Sequence, residues 1–209
     1  VVLNPRIGSS IVGHLLGAIA GPAIARGTSF LLGKEERALF DSAIVVRDEP
    51  HRPRGLRSRA FDGEGLPTAA RDIVADGRIT GWLLDTASAK QLGLEPTGHA
   101  SRGGGASGVS ASNLHLAAGS ITPDALIADI DRGVYITELI GQGVNPVTGD
   151  YSRGASGFLI EGGRIAGPIA EFTIAGNLID MFAALVPADD LVFRHGTNVP
   201  TLRIDGMTV

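Results

Sequence analysis

The chain has 209 residues, 44% hydrophobic and 19% charged, the balance expected of an ordinary globular protein long enough to bury its own core. A formal net charge of −4 leaves no basic footprint for nucleic acid, and the absence of cysteine excludes disulfides, thiolate metal ligands and a cysteine nucleophile. Thirty glycines without a fixed period exclude collagen and simple repeats, and point to many tight turns in a β-rich fold.

The stretch "SSIVGHLLGAIAGPAIARG" mimics a signal peptide, with Arg6 ahead of an apolar run and small residues after it. The run is shorter than the roughly 20 residues a membrane span needs, and Pro22 interrupts it. A buried, Ala/Gly-lined helix from Ser10 to Ala20 is the expectation. "SAIVVRDEP" (42–50) reads as a buried strand, and the basic run "HRPRGLRSR" (51–59) as a solvated loop or an edge strand. Asp62–Gly65 is a turn. Thr68 to Ala75 is predicted as a helix capped by Thr68 and stopped by Gly77. "RITGWLLD" then reads as a strand. "TASAKQLG" reads as a short helix that starts at Asp85 or Thr86 and ends on Gly93.

"TGHASRGGGASG" (97–108) is too glycine-rich for regular structure. Its G-x-G-x-x-G, at Gly103, Gly105 and Gly108, lacks the preceding strand and following helix that dinucleotide binding requires, since "VSASNLHLAAG" is strand-like. In "SITPDALIADIDRG", Thr122 is the N-cap, Pro123 the first helical position and Gly133 the terminator. "GVYITELIG" is a strand. "GFLIEGGRIAGPIAEFTIAG" is the strongest hairpin, turning on Gly162–Gly163. "NLIDMFAALV" is a helix from Asn177 with Leu178, Met181, Phe182 and Leu185 on one face, and "LVFRHGTNVPTLRIDGMTV" supplies two closing strands. The expected fold is α+β, a mostly antiparallel β-sheet domain with several short helices.

Residue chemistry alone names no reaction. His14, His51, His99, His115 and His195 show no helical metal spacing. Ser152 in "GDYSRG" lies one residue off the G-x-S-x-G spacing of a serine hydrolase, and a structural turn tied by an Asp150–Arg153 contact is the simpler reading. Asp62, Glu64, Glu138, Asp150, Glu161 and Glu171 could supply an acid–base pair only if the fold brought two of them together.

"FDGEGLPT", "SAKQLGLEPTGHA", "SASNLHL", "TELIGQGVNPVTGDYSRGASGFLIEGGRI" and "PIAEFTIAGNLIDMF" together resemble the TldD/PmbA family, metalloprotease-related proteins once described as modulators of DNA gyrase. The resemblance runs in one order along nearly the whole chain. It implies that residues 1–209 are a single C-terminal domain, the family's N-terminal domain being absent from this chain. It further implies a cytoplasmic TldD–TldE heterodimer that cuts unfolded peptides. Only TldD-type subunits carry the metal site, an H-E-x-x-x-H helix followed much later by a cysteine.

Aligned on the trailing "G…RGTS", the ligand positions fall on Val12 and Gly17 and the glutamate on Gly13, with Phe193, Arg194 and His195 near the cysteine position. The resemblance therefore implies a PmbA/TldE-type subunit with no catalytic residue and no metal of its own, the metal, zinc in expectation, belonging to a TldD-type partner. Whether the chain is itself an enzyme stays open. An active metallopeptidase with a rearranged site using His14, His99, His115 or His195 is one alternative. A gyrase- or toxin–antitoxin-associated binding module is another. The loop from Gly141 to Gly157 is expected either to shape a subunit contact or a peptide cavity, with Asn145, Thr148, Asp150, Ser152 and Arg153 as candidate contact residues, or to be purely structural, with the same residues fixing it by hydrogen bonds. Neither nucleic acid nor membrane is expected as a partner.

Overall fold

The computed structural model describes residues 1–35, 37–103 and 108–209. The chain opens with strand β1 (Val2–Leu3) and helices α1 (Pro5–Ala18) and α2 (Gly21–Ala25). Next come β2 (Val46–Asp48), β3 (Arg71–Ala75), β4 (Arg78–Ile79), α3 (Thr86–Leu92), β5 (Ala100–Ser101), β6 (Gly108–Val109) and β7 (Leu114–Leu116). Then follow α4 (Pro123–Ile127), β8 (Arg132–Ile140), β9 (Asp150–Glu161), β10 (Arg164–Asn177) and α5 (Leu178–Ala183). Strands β11 (Leu185–Pro187), β12 (Thr197–Asn198) and β13 (Leu202–Ile204) close the chain. The fold is α+β, and its sheets are mostly antiparallel. A six-stranded sheet runs β10-β9-β8-β1-β13-β11, a five-stranded sheet runs β12-β7-β2-β3-β4, and β5 pairs with β6. The parallel pairs within these sheets are β1 with β8 and β12 with β7. No helix among the described residues is long and apolar enough to cross a membrane.

Helix α1 begins at Pro5 rather than Ser10, because the Asn4 side chain accepts a hydrogen bond from the Arg6 amide at 2.9 Å and proline occupies the first turn. Its Ile11, Val12, Leu15 and Ala18 recur every three or four residues and face the core. Helix α3 is capped by Asp85, and Gly93 ends it at φ 68°. Helix α4 has Thr122 as its cap but stops at Ile127, since Gly133 already belongs to β8. Leu178, Met181 and Phe182 of α5 are buried as expected, whereas Leu185 lies in β11. Of the apolar run 42–50, only Val46–Asp48 pairs as a strand.

The helix predicted from Thr68 to Ala75 does not form. Arg71–Ala75 is β3, joined to β4 through Asp76 and Gly77, both at positive φ. Asp-Gly is a two-residue hairpin signal, and the buried, β-branched Ile73 and Val74 pack better in a sheet. The Thr68 hydroxyl donates to the Arg59 carbonyl instead of capping a helix. "RITGWLLD" is a strand only over Arg78–Ile79, and Leu83 then makes an isolated bridge to Ala20. The basic run 51–59 is a loop, held by Asn113, which donates to Glu49 O and Ser58 Oγ and accepts from the Arg57 amide. The Gly162–Gly163 hairpin turn has φ 53° and 76° at its two glycines, the values a two-residue turn of that twist requires.

Candidate functional site

The segment expected as one loop from Gly141 to Gly157 divides in two. Residues 141–149 form the loop, and from Asp150 onward the chain is already β9, paired with β10 from Asp150 and with β8 from Gly154. The turn expected at "GDYSRG" is therefore strand, and the Asp150–Arg153 contact does not form. The two side chains are taken elsewhere, as alternation along a strand favours different neighbours for positions of opposite parity.

Asp150 accepts from the Thr148 hydroxyl at 2.6 Å and from Asn177 Nδ2 at 3.1 Å, and these bonds hold its carboxyl below the usual carboxylate range. Asn145 Oδ1 accepts from the Val147 amide at 3.0 Å, closing a local turn. The loop is also tied to the core: the Phe30 amide donates to Pro146 O and the Leu178 amide to Gly149 O, each at 2.8 Å. Asn145, Thr148 and Asp150 thus shape the loop itself. Ser152 is exposed on β9. Arg153 and Tyr151, two residues apart on the strand, turn to the side occupied by α1, where the His14 ring meets Tyr151 edge-on at 5.9 Å.

Helix α1 carries the positions the family resemblance assigns to metal ligands. Val12 is packed into the core, while Gly13 and Gly17 are exposed with open space where a side chain would stand. A valine and two glycines present no donor atom, so these residues do not fit a catalytic cation. With no Cβ to clash, Gly13→Ala is expected to raise stability by about 0.5–1 kcal/mol through helix propensity, read as an increased urea midpoint.

The N-terminal end of α1 and the segment near residue 195 do come together, around a cleft of about 830 Å³ lined by Asn4, Arg6, Ser9, Arg57, Arg194 and His195 among others. Phe193 is turned into a stack: the Arg52 guanidinium sits 3.4 Å from its ring centroid and His115 meets it edge-on at 5.1 Å. The histidines have separate environments. His51 faces the Thr68 hydroxyl at 3.1 Å, His115 lies 3.7 Å from Glu49, His195 is exposed at the cleft, and His99 is buried beside Asp48. No group of three or more potential metal-binding side chains is present among the described residues. Of the carboxylates, Asp62 is tied down by the amides of Glu64, Leu66 and Ala100, Glu64 caps α3 by accepting from Thr86, and Glu161 and Glu171 are exposed. The G-x-G-x-x-G stretch falls partly outside the described residues at Gly105, and Gly108 opens a strand.

One constellation was not legible in the sequence. His99 Nε2 lies 3.3 Å from Asp48 Oδ2 and Nδ1 lies 2.9 Å from the Thr97 hydroxyl, while Asp48 also accepts from the amide and hydroxyl of Ser112. It has the order of a hydroxyl–imidazole–carboxylate relay. But His99 is only 3% exposed and the Thr97 oxygen already accepts from the Leu84 amide at 2.8 Å. A nucleophile must reach substrate, so this is a polar core staple.

Comparison with known proteins covers the whole chain. The family model described as the PmbA/TldA metallopeptidase C-terminal domain matches residues 1–209. "Metalloprotease PmbA" of Escherichia coli is 41% identical over 210 residues, covering 100% of this chain and 45% of that protein. A Bacteroides thetaiotaomicron protein described as a candidate modulator of DNA gyrase superposes with TM-score 0.88 at 31% identity, covering 99% of this chain and 45% of that one. TldE of Thermococcus kodakarensis gives TM-score 0.86 at 27% identity, over 97% of this chain and 48% of that one. The chain thus spans about half the length of the relatives it matches.

Proposed function

Because this chain belongs to the PmbA/TldD family, we propose that it is a PmbA/TldE-type non-catalytic part of a two-subunit metallopeptidase that acts on unfolded peptides in the cytoplasm. The observation that carries this reading is α1, where the metal-ligand and glutamate positions implied by the resemblance hold Val12, Gly13 and Gly17. Metal-assisted hydrolysis needs ligands with lone pairs and a group that takes a proton from water, and these three residues offer neither. The likeness to TldE of Thermococcus kodakarensis supports a TldD-type partner as the source of the metal. The cysteine-free composition is compatible with a reducing compartment.

Co-expression with a TldD-type subunit tests the assignment. Cleavage of an unfolded peptide is expected only when both proteins are present, with zinc or another transition metal recovered on the partner. Cleavage by this protein alone, with bound metal lost on replacing His14 or His195, would sink it and favour a rearranged active site.

A further inference from the structure

Three buried polar atoms between α1 and β9 lack a hydrogen-bond partner of good geometry: His14 Nε2, the Tyr151 hydroxyl and Arg153 Nε. They share one locality. His14 and Tyr151 are in ring contact, and the Arg153 guanidinium, whose charge acts on both, approaches the Tyr151 hydroxyl without well-formed hydrogen-bond geometry. Tyr151 is only 1% exposed, so its hydroxyl has no bulk water to turn to. Buried polar groups are nearly always paired, which makes three orphans in one place an unfilled requirement. Among the described residues no carboxylate lies within ion-pair distance of Arg153. Its neighbour Asp150 is engaged by Thr148 and Asn177.

The locality has a solvent-facing edge: His14 and Arg153 are half-buried, and Gly13 and Gly17 flank His14 on α1 with open space above them, so a ligand reaches the three covered atoms by a shift of side chains. Burial, then the nearby guanidinium, lowers the affinity of His14 for a second proton, and burial holds the Tyr151 phenol protonated. The set is therefore one fixed cation, a phenol that both donates and accepts, and a neutral imidazole with one donor and one acceptor nitrogen.

We propose that Arg153, His14 and Tyr151 form a binding site for a single carboxylate, supplied by the C-terminus of a peptide or by an acidic side chain within one. A carboxylate accepts only, and its two oxygens can take several donors at once, the guanidinium contributing the charge-assisted bond. One arginine matches the single charge of a carboxylate better than the double charge of a phosphate. The choice of a peptide rests on the peptidase reading above; the binding itself is a property of this chain and is measured without a partner subunit. Failure of the site and failure of the subunit assignment are thereby separable.

The test is titration of the purified protein, its histidine rings followed by nuclear magnetic resonance, with four probes. These are acetyl-tetra-alanine with a free C-terminus, an acetylated alanine peptide amide containing one internal aspartate, the fully amidated alanine peptide, and inorganic phosphate. The His14 ring signals are expected to move saturably with one or both carboxylate peptides, which identifies the source, and not with the amidated peptide. Arg153→Gln is expected to weaken that binding at least tenfold, with Arg153→Lys and Tyr151→Phe weakening it less. Equal response to the amidated peptide, tighter binding of phosphate, unchanged affinity in Arg153→Gln, or no response to any probe would each overturn the site. The contrast between free and amidated peptides is read on the unmutated protein, so it stands even if a variant folds poorly.

Discussion

Asp48→Ala is expected to cost about 3–5 kcal/mol of stability, a large fraction of what holds an ordinary domain folded. Asp48 ends β2 at 2% exposure and accepts from the Ser112 amide at 2.9 Å, from the Ser112 hydroxyl, and from His99, whose ring nitrogen is 3.3 Å away. Alanine would strand these donors in the interior, and an unsatisfied buried donor bears its full desolvation penalty. The network joins β2 to segments more than fifty residues away, so no local rearrangement can replace it. Urea unfolding followed by circular dichroism measures the loss, and a change under 1 kcal/mol would contradict the assignment of the network as a staple.

The same carboxylate sets an acid limit. Burial raises its pKa, but the hydrogen bonds from His99 and Ser112 and the His99 charge outweigh burial and leave it below the usual range. A carboxyl whose folded pKa lies below its unfolded value binds fewer protons in the native state. Its contribution to stability is whole above the unfolded pKa, about 3.9, and is lost as pH falls through the folded value. The unmutated protein is therefore expected to lose stability more steeply below pH 4 than Asp48→Asn.

Gly143→Ala is the second large effect, expected to destabilise by about 1–3 kcal/mol. A Cβ at Gly143 would lie 1.5 Å from the Ser152 carbonyl oxygen, inside bonding distance, and that neighbour is backbone rather than a side chain that could swing away. The closeness is functional in the loop: the Ser152 amide donates to Gly143 O at 2.7 Å, and Val144 bridges Tyr151 beside it. Any methyl at 143 must lift the loop off the start of β9, and Tyr151 and Arg153 would move with it. Gly167→Ala is the control, since a Cβ there meets nothing and its φ is ordinary; it is expected to change stability by less than about 0.5 kcal/mol. Comparable urea midpoints for the two variants would show that the loop is not docked on β9.

What could be read from the residues alone was what acts within a turn or two of chain. The caps at Asp85, Thr122 and Asn177, the stop at Gly93 and the Gly162–Gly163 hairpin depend on a side chain or a φ angle meeting amides a few residues away. The absence of donor atoms at Val12, Gly13 and Gly17 is likewise a property of residue type. Where neighbours in space outvoted neighbours in sequence, the reading failed. Thr68–Ala75 satisfies a helix pattern by itself, but Arg71–Ala75 gains two strand partners, β2 and β4. Asp150 and Arg153 sit close in sequence, yet pairing with β10 fixes their directions, and Thr148 and Asn177 take the carboxylate.

The meetings of His14 with Tyr151, and of Asp48 with His99 and Ser112, span dozens of residues or more. No periodicity or motif encodes them, because a contact that closes so long a loop exists only once the sheets have assembled and the intervening chain has been ordered. The sequence by itself determined which local elements end where and which positions lack donor atoms; only the meeting of α1 and β9 decided that an arginine, an imidazole and a phenol would be left together without well-formed hydrogen bonds.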